Sequence, residues 1–102
     1  MAGELIWALE ALDDIDAIAR YIARDSAVHA RRVVSEILEL GELFLTQPLM
    51  GRVVLELANP AIREHFIYSY RVIYQISGDD VQVLAVIHGR RLLDSALADR
   101  LL

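Results

Sequence analysis

The stretch that most constrains the fold runs from residue 62 to residue 91, and it predicts three consecutive strands with short reversals. Residues 70–76 alternate in polarity and are rich in β-branched and aromatic side chains, which fit a pleated surface. Residues 81–87 are nearly all apolar, which is typical of a strand covered on both faces. The Ser-Gly-Asp-Asp sequence at 77–80 predicts a turn between them. With a preceding strand at 62–67, the segment predicts a three-stranded meander.

Two amphipathic helices are predicted in the first half of the chain. Apolar residues recur at helical spacing over residues 8–24, and carboxylates crowd the first turns of this segment. Asp25-Ser26 interrupts the pattern and supplies an N-cap for a second helix that ends near residue 45. A break this short predicts an antiparallel helical hairpin. Gln47-Pro48 ends the second helix, because the residue before a proline disfavours the helical region.

The remaining segments complete the predicted topology. Residues 4–7 read as a strand, residues 52–57 as a strand or an extended segment, and Tyr68-Ser69 as the reversal inside the meander. The tail, residues 92–102, carries leucine and alanine at helical spacing and predicts a short C-terminal helix. We therefore predict one α+β domain over residues 1–102, with an N-terminal helical hairpin packed on a small, mainly antiparallel β-sheet and a short C-terminal helix.

Composition limits the function classes. The chain has a formal net charge of −5 and a pI near 5.0, which argues against a broad phosphate-binding face and against sequence-specific nucleic-acid binding by this chain alone. All ten basic residues are arginines, so a local arginine pocket remains open. No apolar run approaches the ~20 residues needed to span a bilayer. The sequence has no cysteine and no basic segment at its N-terminus, and we expect a cytoplasmic location away from membranes.

The richest candidate site follows the apolar strand, in His88-Gly89-Arg90-Arg91. A histidine at a strand end is well placed for general acid–base chemistry, and two arginines offer planar forks for phosphate or carboxylate. The alternative is that the arginine pair caps the strand end and forms salt bridges with Asp94 or a carboxylate of the first helix. The sequence leaves both interpretations open.

Two more arginines, Arg63 and Arg71, lie on adjacent predicted strands. They join Arg90 and Arg91 in one basic patch if the strand register allows it; otherwise they form ordinary cross-strand pairs with Glu64 or Glu56. Tyr70 fits packing on the sheet face better than stacking on a base. No enzyme motif is complete, the three histidines lack metal-ligand spacing, and neither a metal nor a cofactor is expected.

The chain resembles the RelE/ParE superfamily of toxins from type II toxin–antitoxin modules over nearly its whole length. No single motif is decisive, but the ordered set is specific. The matching pieces are Trp7-Ala8, Asp14-Ile15, Tyr21-Ile22-Ala23, Ala30, Ile37, Pro48-x-x-Gly51-Arg52, Arg63-Glu64, Tyr70-Arg71-Val72-Ile73-Tyr74 and Val86-Ile87-His88-Gly89-Arg90-Arg91. The Pro-x-x-Gly-Arg, Tyr-Arg-Val-Ile-Tyr and His-Gly-Arg-Arg segments resemble most the ParE branch, the plasmid-stabilisation proteins.

The resemblance implies two alternative activities. ParE-like members poison DNA gyrase and block replication without a recognised catalytic site, and in that case Arg90, Arg91, Arg63, Arg71 and Tyr70 are the candidate target-binding residues. RelE-like members cut mRNA on the ribosome, and in that case His88, Arg63 and Arg71 are the candidate catalytic residues. The absence of lysine and the net negative charge favour the ParE-like activity, and so a gyrase poison rather than a catalyst. A third hypothesis is a non-toxic relative kept as an antitoxin-binding module.

The resemblance also implies a partner. Such toxins form hetero-oligomers with a cognate ParD-like antitoxin, whose flexible C-terminal segment binds by helix-in-groove or strand-addition contacts. We expect the antitoxin to cover the groove of the helical hairpin and an edge of the sheet. The candidate contact residues are Leu12, Ile15, Asp16 and Arg20.

Overall fold

The computed structural model describes residues 3–90 and 99–100 and confirms the α+β fold. Arg91 and nearly all of the predicted C-terminal helix lie outside the described residues. In chain order the elements are β1 (Leu5–Trp7), α1 (Leu9–Ala23), α2 (Ala27–Thr46), a 3-10 turn (Pro48–Met50), β2 (Arg52–Val53), β3 (Ile62–Ile67), β4 (Tyr70–Ser77) and β5 (Asp80–His88).

The five strands form one sheet in the order β1-β5-β4-β3-β2. Three of the four pairings are antiparallel, and only β1 runs parallel to β5, so the sheet is mainly antiparallel as predicted. Because β1 is short, it pairs only with residues 81–83 of β5. Within the described residues, β5 has no strand beside it on that side beyond Val83, and this leaves a free outer edge.

The helical hairpin covers one face of the sheet. Ser26 caps α2 as predicted, because its hydroxyl accepts a hydrogen bond from the backbone N–H of His29. The buried stripe of α2 packs with Ile15 of α1 on the valines of β4 and β5, and the ring of Phe44 stacks on Tyr74 at 3.8 Å. No helix in the described part of the chain has the length and apolar character needed to cross a bilayer.

The opposite face of the sheet carries a second apolar cluster, formed by Ile73, Leu84, Ala85 and Ile87 with Val54 and Ile62. This arrangement explains why residues 81–87 read as apolar on both sides. The register between β4 and β5 shifts at Ile73 and Tyr74, so that Leu84 is an additional residue in β5.

The predicted strand at 52–57 is shorter than expected. Only Arg52–Val53 pairs with β3, and the chain then turns, because the backbone N–H groups of Leu57 and Ala58 both donate to the carbonyl of Val54. Ala58 has a positive φ of 50° in this turn. The extended pattern of residues 52–57 gave no sign of the turn, since it contains neither glycine nor proline.

Both predicted reversals of the meander are present. Gly78 has a φ of 60°, the left-handed region that glycine adopts without steric cost. Tyr68 has a φ of 53°, which is unfavourable for a side chain of this size. Its ring meets His29 edge-on at 5.9 Å, and a hydrogen bond to Glu36 raises the pKa of its hydroxyl. These contacts hold the tip of the β3–β4 hairpin against α2.

Candidate functional site

The end of β5 brings together three of the predicted target-binding or catalytic residues, Tyr70, His88 and Arg90, which we call the strand-end cluster. Tyr70 and His88 are opposite each other on β4 and β5, with ring centroids 6.1 Å apart in an edge-to-face arrangement. The backbone N–H of Arg90 donates to Nδ1 of His88 at 3.2 Å, which leaves Nε2 directed elsewhere. His88 and Arg90 are both exposed. The cluster therefore presents a phenol ring, an imidazole and a guanidinium to a partner.

A groove of about 560 Å³ runs beside this cluster, between α1 and the free outer edge of β5. We call it the edge groove. Ala17, Ile18 and Tyr21 form its helical wall, and Val86, His88 and Tyr70 lie along its strand side. Its lining combines apolar side chains with a strand edge, which are the two features that a peptide adding a strand to a sheet requires.

Asp14 fixes the geometry of the edge groove. Its carboxylate accepts a hydrogen bond from the backbone N–H of Val86 at 3.0 Å, and so occupies a donor that an additional strand would otherwise use. The same carboxylate pairs with the guanidinium of Arg100 at 2.9 Å. This hydrogen bond raises the pKa of Arg100 further above its ordinary value. One side chain of α1 therefore contacts both the edge of β5 and Arg100.

Arg71 is not available as a target-binding or catalytic residue in this structure. It is 5% exposed, and its guanidinium forms a buried ion pair with Glu64 at 2.9 Å and contacts Glu56 at 3.4 Å. The cross-strand pairing therefore forms instead of the patch. An arginine in such a site satisfies a buried carboxylate, because either charge alone would be costly there.

Arg63 lies on the other face of the sheet from Arg71. Arg63 is opposite Tyr74, on the face that the helices cover, whereas Arg71 is opposite Phe66 on the reverse face. The guanidinium of Arg63 donates to the carbonyl of Gly51 at 3.0 Å and to the carbonyl of Pro60 at 3.2 Å. The register thus separates Arg63 and Arg71, and the proposed catalytic trio with His88 is not assembled.

The outer surface of the hairpin carries a second groove, of about 470 Å³, which we call the hairpin groove. Small side chains line it and two arginines flank it: Ala19, Ala23, Ala27, Ala30, Val34, Ser35, Arg20 and Arg31. Three of the predicted antitoxin-binding residues lie on this side of α1. Leu12 is 42% exposed, and Asp16 forms a surface ion pair with Arg20 at 3.0 Å.

Ile15, the fourth predicted antitoxin-binding residue, lies in the core beneath the hairpin and is 6% exposed. Because α1 packs on the sheet through the apolar stripe that contains Ile15, this residue offers a partner little surface.

Sequence reasoning missed the role of Asp14, whose charge was noted only as favourable near the start of α1. Its contact with Val86 joins residues 72 positions apart, and no local pattern encodes it. The pairing of Arg71 with Glu64, in contrast, was one of the two alternatives that the sequence left open. Among the described residues, no group of three His, Asp or Glu side chains is arranged to hold a metal ion.

The fold of this chain is similar to that of chains in two solved toxin–antitoxin structures. A chain of the chromosomal ParDE toxin–antitoxin system from P. aeruginosa has a TM-score of 0.70 and 21% identity, over 85% of this chain and 96% of that chain. A chain of the toxin–antitoxin complex RelBE2 from Mycobacterium tuberculosis has a TM-score of 0.64 and 18% identity, over 86% of this chain and 99% of that chain. These likenesses establish the fold.

The sequence then gives the family. Residues 5–93 match the family described as ParE toxin of the type II toxin–antitoxin system, parDE. The chain therefore belongs to the ParE toxin family, as its sequence motifs indicated. No curated protein is significantly similar to it in sequence.

Proposed function

We propose that this chain is a ParE-like toxin that inhibits DNA gyrase by binding it, in the cytoplasm, and that a ParD-like antitoxin neutralises it within a hetero-oligomer. The observation that carries the proposal is the ion pair of Arg71 with Glu64, at 2.9 Å. With Arg71 neutralised and Arg63 bonded to backbone carbonyls, Arg90 is the one cation that the described residues bring beside His88, whereas phosphodiester cleavage on a ribosome needs a set of cations. The strand-end cluster is then a binding surface that presents Arg90.

A gyrase supercoiling and cleavage assay with the purified chain, run beside an in vitro translation assay, tests this proposal. We expect trapped cleaved DNA and normal translation. Arg90→Glu should weaken gyrase inhibition by about tenfold, as expected when one interfacial charge is reversed. Arg31→Glu, which reverses an exposed arginine on the outer surface of the helical hairpin, away from the strand-end cluster, is the matched control. Halted translation with cut mRNA and unaffected gyrase would refute the proposal.

The runner-up is a ribosome-dependent mRNA endonuclease, and one observation favours it: His88 is exposed and directs Nε2 away from its bond with Arg90. If His88 is a general acid or base, His88→Ala should lower mRNA cleavage by about 10²–10⁴-fold. His29→Ala, which removes an exposed histidine from α2, is the control and should leave cleavage intact. If a folded protein that still binds antitoxin neither inhibits gyrase nor cuts mRNA, the third hypothesis, a non-toxic relative, would be favoured.

For the antitoxin, we propose that an extended segment enters the edge groove, displaces the Asp14 carboxylate from the Val86 N–H and pairs with the outer edge of β5. Neighbouring residues of the antitoxin then reach Leu12, Asp16 and Arg20 on α1. The apolar wall, and a strand edge that no other described strand covers beyond Val83, support this placement. Tyr21→Glu in the groove should weaken antitoxin binding at least tenfold, while Leu49→Glu, at another exposed apolar position, should not. Equal effects of the two substitutions would contradict the placement.

A further inference from the structure

The charges of the helical hairpin are separated along its length. All four arginines of α1, α2 and their connecting turn lie between residues 20 and 32, close to the turn, which we call the closed end. The carboxylates of residues 10–16 and 36–42 lie at the opposite, open end, where the helices meet the sheet edges. Only Asp25 breaks this separation. The hairpin thus has a basic half and an acidic half on one continuous surface.

The two halves of its outer surface differ in shape as well as in charge. The closed half contains the hairpin groove, whose floor is made of alanines and which is about 470 Å³ in volume. Leu12 and Leu38 belong to the open half. Both are large apolar side chains that point away from the core, and each is 42% exposed. Leu12 lies seven residues before Ala19, and Leu38 lies four residues after Val34, so each leucine continues the groove face of its helix.

We propose that the hairpin groove binds the hairpin of a second copy of this chain, related by a two-fold axis, so that two hairpins form an antiparallel four-helix bundle. A two-fold axis that lies in the plane between the two copies, at right angles to the helices, turns the two hairpin surfaces towards each other and places the closed half of one copy on the open half of the other. Leu12 and Leu38 of each copy then enter the alanine groove of the other, as larger side chains fill the spaces between small ones in helix packing.

The charges agree with the same arrangement. Arg31 flanks the closed half of the groove, and Glu42 lies on the groove side of α2 in the open half, eleven residues or about 16 Å further along the helix. In the antiparallel pair, Arg31 of one copy faces Glu42 of the other, and the symmetry repeats this contact. A parallel pair would bring arginine against arginine and carboxylate against carboxylate. The chain therefore carries both halves of the interface. The dimer is the form proposed for the free chain, because an antitoxin that reaches Leu12 and Arg20 competes for the same surface, and it does not depend on whether the target is gyrase.

Sedimentation equilibrium of the purified full chain tests the proposal. We expect a reversible dimer. Arg31→Glu and Glu42→Arg should each raise its dissociation constant by about tenfold, because each change introduces two like-charge contacts. The double variant R31E/E42R should restore wild-type association, because it exchanges the two charges across the interface. Arg90→Glu and Asp79→Arg make the same charge changes away from the hairpin and should leave association unchanged.

A steric variant tests the shape of the groove independently. Ala23→Gln should abolish the dimer by filling the groove, whereas Ala17→Gln, on the edge-groove side of α1, should not. A wild-type chain that stays monomeric up to about 1 mM would overturn the proposal. Failure of the double variant R31E/E42R to restore the dimer would also overturn it. A wild-type chain that is monomeric, and in which Ala23→Gln weakens only antitoxin binding, would assign the groove to the antitoxin and overturn the proposal as well.

Discussion

The hydroxyl of Tyr74 lies 2.9 Å from the backbone nitrogen of Gly51 and accepts its hydrogen bond, which ties the middle of β4 to the segment that follows α2. The same hydroxyl donates to the carbonyl of Pro48 at 2.6 Å. Tyr74→Phe would leave both backbone groups without this partner and should lower the free energy of unfolding by about 1–3 kcal/mol, measured by urea denaturation. Tyr21→Phe, at a position 67% exposed, should change it by less than about 0.5 kcal/mol. Equal effects would show that the Tyr74 bonds contribute nothing.

Tyr74 also predicts a loss of stability in alkali. Burial raises the pKa of its hydroxyl above the ordinary 10.0, although the Gly51 hydrogen bond and the charge of Arg63 oppose the shift. The folded state therefore favours the neutral form, so its contribution to stability is complete below pH 10 and falls as the pH rises from there through the folded pKa. Denaturation across this range should show a steeper decline for the wild-type chain than for Tyr74→Phe. Parallel curves would refute the assignment.

The buried pair of Arg71 and Glu64 should be costly to break on one side only. Arg71→Met leaves a carboxylate that is 3% exposed without its main partner, and we expect a loss of about 3–5 kcal/mol in the free energy of unfolding. The double variant R71M/E64M removes both charges and should be more stable than Arg71→Met alone. A double variant that loses as much as the sum of the two single variants would show that the charges act separately.

A surface control makes the comparison quantitative. Arg20→Met removes the partner of Asp16 from a pair that solvent surrounds, and it should cost under about 1 kcal/mol. A loss as large as that of Arg71→Met would show that burial does not determine the difference.

Asp14 should protect one amide of β5. Asp14→Ala removes the acceptor of the Val86 N–H, so we expect faster hydrogen exchange at Val86. Asp14→Asn keeps an acceptor oxygen and should restore part of the protection. Arg100→Ala removes the ion pair but leaves the Val86 bond, so its Val86 amide should exchange nearly as slowly as in the wild type. Fast exchange in Arg100→Ala would mean that the ion pair, and not the carboxylate alone, holds the edge.

The elements were predictable from the sequence because their signals are local. Ser26 caps α2, Gly78 turns the β4–β5 hairpin, and the alternation of residues 70–76 gives β4 within one residue at its end. The site was less predictable because it depends on register. One residue of register decides whether Arg63 and Arg71 share a face, and the pairing of Glu64 with Ile73 places them apart. The contact of Asp14 with Val86 depends on where α1 crosses the sheet, which no spacing in the sequence records.

The parallel pairing of Leu5 with Val81 also has a consequence for how the chain is made. At about 5–20 residues per second, β5 leaves the ribosome roughly 4–15 s after β1. During that interval the helices of the hairpin can form from local contacts, but one wall of the edge groove has not yet been synthesised. The surface proposed to receive the antitoxin is therefore completed only after β5 has been made. A nascent chain has its helices long before it has a completed binding site.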